Sequence, residues 1–100
     1  MIHWDHASQG DRDLLQILRG LCEQHPKLID FMFHPTRAAL RAEPKTLHRE
    51  ARCFSSGEQI LIRVAIDLWG NLDHVKLSEL GRLDSSNFQR VIAAFSRIRL

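Results

Sequence analysis

Between Ser55 and Gly70 the chain carries a helix start, a helix stop and apolar side chains on nearly every side between them. Ser55 with Glu58, or Ser56 with Gln59, has the spacing of a reciprocal cap, in which a hydroxyl and an acid or amide each satisfy a free N–H of the first turn. Gly70 suits the left-handed turn that closes a helix. A helix without a polar face is stable only when other elements surround it, so residues 56–69 are expected to form a buried central helix.

The flanking segments supply the surround. From Asp11 to Gln24, Leu14, Leu15, Ile17, Leu18, Leu21 and Cys22 fall at helical spacing, with Ser8 or Asp11 as the cap and Pro26 as the stop. Pro26, Pro35 and Pro44 lie nine residues apart, and each suits the first turn of a short helix; the segments behind them share little else, so the spacing is not read as a repeat. Residues 35–42 favour helix through their alanines and Leu40, whereas residues 43–54 are polar and read as a loop. Val75 to Leu80 suits a short helix. Asp84 or Ser85 then caps an amphipathic helix over about 85–98, with Phe88, Val91, Ile92, Phe95 and Ile98 along one face. No segment alternates as a strand would. The expected fold is all-α: one domain, residues 1–100, with four to six helices packed around residues 56–69.

One hundred residues can enclose one modest core. No apolar run approaches a membrane span, and Met1 to His6 lacks the basic, apolar and small-residue order of an export signal, so a cytoplasmic protein is expected, with Cys22 and Cys53 as thiols. A net charge of +2 is too small for nucleic-acid binding by bulk charge. The distribution is more informative: after Asp84 no acid follows, while Arg90, Arg97 and Arg99 do.

Three chemical readings are set aside. Phe54-Ser55-Ser56-Gly57-Glu58-Gln59 resembles the signature loop of ABC-type ATPases, but the chain has no Gly-rich loop ending in Lys and Ser or Thr and no apolar strand ending in Asp-Glu, so the segment is read as a cap. His3 with His6 and Cys22 with His25 have a spacing that places two ligands on one helix side, yet no paired-cysteine motif accompanies them; no metal and no cofactor is expected. No nucleophile and base stand in a recognisable arrangement, and no enzyme activity or small-molecule substrate is expected.

Two binding readings remain. Phe31, Met32 and Phe33 crowd a short Pro-bounded segment and Trp4 lies near the N-terminus; aromatic residues and Met are enriched at interface centres, so these four are the candidate contacts to a protein partner or a second copy. In the alternative, Arg37, Arg41, Lys45, Arg49 and Arg52 recur every three or four residues as a phosphate-holding stripe that Pro44 interrupts. Residues 77–90 resemble a helix-turn-helix in outline, with Asn87, Gln89 and Arg90 placed to reach bases. The expected function is that of a small non-enzymatic module acting through protein–protein recognition, whether partner-binding, inhibitory or oligomerising. A DNA- or RNA-binding regulator is the alternative.

Overall fold

The computed structural model describes residues 2–70 and 75–98, and among these the chain forms six α-helices and no strand. They are α1 (Gln9–Leu21), α2 (Lys27–Met32), α3 (Pro44–Glu50), α4 (Ser56–Gly70), α5 (Leu77–Leu80) and α6 (Ser85–Arg97), with a 3₁₀ turn (Ala51–Cys53) leading from α3 toward α4. None of the helices among the described residues is long and apolar enough to cross a membrane.

The central helix is α4, and it starts on the Ser55–Glu58 cap. The Glu58 N–H donates to Ser55 Oγ at 3.2 Å, and the Ser55 N–H donates to the Glu58 carboxylate at 3.1 Å. That backbone N–H is the main reason the Glu58 carboxyl sits below the ordinary glutamate range; burial opposes it, and the Ser55 hydroxyl, Lys27 and His25 add to the lowering. Gln59 does not cap through Ser56 but sends its amide to the Phe54 carbonyl at 2.9 Å. Ile60, Leu61, Ile62, Val64, Ala65 and Ile66 are all buried, and three consecutive residues at 100° steps can be covered together only when neighbours stand on several sides. Those neighbours are α1, α2, α6 and the 3₁₀ turn. Each large side chain so enclosed contributes about 1.5–3 kcal/mol. The turn expected after Gly70, and Arg99 of the basic tail, lie outside the described residues.

α1 begins where Ser8 Oγ accepts the Asp11 N–H at 3.1 Å, buries Leu15, Leu18 and Leu21, and ends at Leu21, three residues earlier than its pattern suggests. α6 begins on Asp84, whose carboxylate accepts the Asn87 N–H at 2.8 Å.

Two expectations are corrected. Residues 35–42 do not form a helix. His34 precedes a proline and is thereby biased away from helical backbone, and its Nδ1 accepts the N–H groups of Thr36 and Arg37, each at 3.1 Å. The chain turns back instead, with the His34 N–H on the Ala39 carbonyl (2.8 Å), the Arg41 N–H on the Met32 carbonyl (2.7 Å) and one isolated antiparallel bridge between Phe33 and Leu40. Nor are residues 43–54 a loop. Pro44 opens α3 at its first turn, and Leu47 in α3 and Ala51 at the start of the 3₁₀ turn, four apart, are the two buried anchors of this segment.

The N-terminal strap crosses this turn. The His3 N–H donates to the Pro35 carbonyl at 2.6 Å and the Trp4 indole to the His34 carbonyl at 2.9 Å. Trp4 thereby joins Phe33 and Trp69 in a three-ring cluster with centroids 5.2–5.7 Å apart. Such tilted and edge-on pairs add about 0.5–1.5 kcal/mol each to their area burial.

Candidate functional site

The expected aromatic contact patch lies mostly in the core. Trp4, Met32 and Phe33 are buried, because the strap and the turn close over them, and a group already enclosed is not free to meet a partner. Phe31 is half-buried, edge-on to Phe54 at 5.0 Å and beneath the Arg41 guanidinium at 5.2 Å.

The exposed apolar surface is elsewhere. Leu77 is 83% exposed, Ile92 45% and Phe88 36%. The expected single face of α6 splits: Asn87, Val91 and Ala94 point inward, while Phe88 and Ile92, one residue further round, point out. The cause is the contact with α1. α6 is fixed there by the Arg90–Glu23 ion pair and by the Ser86 hydroxyl on the Gln24 amide oxygen at 3.2 Å, a rotation that seats Val91 and Ala94 and turns the larger residues to solvent. Phe88, Ile92 and Phe95 follow at intervals of four and three. Phe95 reaches a groove of about 320 Å³ between α4, α5 and α6, lined also by Val64, Leu68, Val75, Leu77, Leu80 and one charged residue, Asp67, whose carboxylate accepts the Val75 N–H at 3.0 Å.

Of the basic stripe, three members come together. Lys45, Arg49 and Arg52 line one open hollow of about 450 Å³ with His48 and Gln59. Arg37 and Arg41 do not line it. Arg37 sits on the 34–39 turn, and Arg41 is drawn off by Glu50 (2.7 Å) and the Phe31 carbonyl (2.6 Å). Pro44 starts the helix that carries Lys45 and Arg49 and leads into the 3₁₀ turn that carries Arg52, so it organises the stripe it was expected to interrupt. His48 and Gln59 are additions that sequence spacing did not single out, although His48 belongs to the same three-and-four periodicity.

The helix-turn-helix outline is corrected in its proposed base contacts. Asn87 is buried, Arg90 is engaged by Glu23, and Gln89 alone of the three is exposed. The start of α6 lies against the end of α1 rather than standing free to enter a groove.

Histidine and thiol chemistry is dispersed. Among the described residues no three His, Cys, Asp or Glu side chains gather as a metal-holding group. His25 Nδ1 faces the Glu58 carboxylate at 3.2 Å, while His3 and Cys22 both border a cleft of about 750 Å³ with Arg19 and Asp30. Burial pushes the Cys22 thiol up to about 12, which keeps it protonated and a poor nucleophile or ligand near neutrality. Cys53 is exposed, with its thiol on the Glu50 carbonyl at 3.2 Å.

No family model, no curated protein and no solved structure matches the chain.

Proposed function

We propose that this chain is a small non-enzymatic module that recognises a protein through the outer face of α6 and the groove beside α5, the partner presenting an apolar helical ridge. One observation carries the reading: Phe88 and Ile92 face solvent on α6, and half-buried Phe95 continues their helical row into a mainly apolar groove with Leu77 at its rim. Charge supports it. Between Asp84 and Arg97 the only charged residue is Arg90, and Glu23 engages it, so three turns of helix offer a surface cheap to desolvate. A row spaced four and three is complementary to the ridge of another helix.

Site-directed photocrosslinking in the native cell tests the reading, with the reactive side chain placed at Ile92 or, as the control, at exposed Gln16 on α1. A discrete adduct is expected from position 92, absent from position 16 and lost when Phe88→Ser is added; its mass distinguishes a second 11.6 kDa copy from another protein. Equal labelling from both positions refutes the proposed surface.

A further inference from the structure

We infer that the hollow formed by Lys45, His48, Arg49, Arg52 and Gln59 is a binding site for the phosphate backbone of a nucleic acid, read without regard to sequence. It lies apart from the α6 surface and does not depend on the reading above. Among the described residues three permanent cations border the hollow and no carboxylate does, whereas Arg41, Arg63 and Arg90 each have an acid as partner. Like charges held together repel one another, and an anion relieves that repulsion. The arrangement is built by the fold: Lys45, His48 and Arg49 share one side of α3, the 3₁₀ turn continues the row to Arg52, and Leu47 and Ala51 anchor the opposite side in the core.

The shape argues for an extended ligand. The hollow is open rather than enclosed, and Gln59 also borders a second hollow of about 170 Å³ with Ser56, Ile60, Arg63, Glu79 and Arg82, in which Arg82 adds one further cation past α4 toward the α5–α6 connection. Arg63 in that second hollow is already held by Glu79. Neither of the two residues placed to read bases and then found engaged, Asn87 and Arg90, borders either hollow, and the open row of cations favours contact with the backbone.

Fluorescence anisotropy with a labelled 20-nucleotide single strand and a 20-base-pair duplex, both of mixed sequence, tests the site between 50 and 200 mM salt. Neutralising about three phosphates predicts that log affinity falls against log salt with a slope of about −2 for the single strand and about −3 for the duplex. The Arg49→Gln/Arg52→Gln variant is expected to weaken binding at least tenfold at 50 mM salt and to flatten the slope by about 1 to 2. Lys76→Gln, outside both hollows, and Ile92→Ser are expected to leave it within twofold. Circular dichroism verifies that each variant is folded. No binding at 50 mM salt overturns the inference, as does a double variant that binds like the parent or a Lys76→Gln variant that loses as much. Displacement by polyglutamate at concentrations as low as those of unlabelled DNA also overturns it and reassigns the hollow to an acidic protein segment.

Discussion

α1 and α6 are equally long at 13 residues, each starts on a side-chain cap, and they pack along one another, yet they handle their apolar residues in opposite ways. In α1 the large residues Leu15, Leu18 and Leu21 go inward. In α6 the inward positions belong to Asn87, Val91 and Ala94, and Phe88 and Ile92 go outward. Periodicity establishes that a helix has a stripe; contacts outside the stripe decide how the helix is rotated. Here the Glu23–Arg90 and Gln24–Ser86 contacts fix the rotation, and the apolar residues turned out by it become a surface available for recognition.

Stability measurements by urea unfolding can break this contrast. Leu18→Ala is expected to cost the most, about 3 kcal/mol, because it opens a cavity where α1 meets the core. A cost below about 1 kcal/mol would mean that α1 is not seated as described. Val91→Ala is expected to cost about 2 kcal/mol, and its neighbour Ile92→Ala, although it removes more carbon, no more than about 0.5 kcal/mol. The reverse order would show α6 turned to the face its periodicity suggests. The smallest effect has the opposite sign. At Gly20 an added Cβ meets only the Arg97 guanidinium, at an ordinary 3.6 Å, so Gly20→Ala is expected to stabilise α1 by about 0.5–1 kcal/mol through helix propensity. Destabilisation there would show the two helices closer than this packing allows.

The parts legible in the sequence are those fixed by local chemistry. Ser8, Ser55, Glu58 and Asp84 act within three or four residues of themselves, and the apolar run of α4, broken only by Arg63 and Asp67, admits few placements other than the centre. What escaped is set by distant partners. The 34–40 turn depends on His34 bonding forward and on the strap laid across it. α3 and the 3₁₀ turn behind it show just two buried anchors in a polar stretch, too few to register as a pattern. Trp4, Met32 and Phe33 carry the composition of a contact surface, but composition does not distinguish a partner from the protein's own core. The basic residues illustrate the same limit: spacing alone treats Arg41 like Arg49, and Glu50 separates them.

The strap has an experimental consequence. The chain contains two tryptophans, Trp4 and Trp69, and their rings lie 5.4 Å apart although 65 positions separate them in sequence. Nearly all of the intrinsic near-ultraviolet emission therefore originates at one junction, where the first residues of the chain close over the end of α4. A spectral shift that precedes loss of helix would register that closure opening by itself, which makes the unmodified protein its own gauge of whether the lid and the bundle melt together.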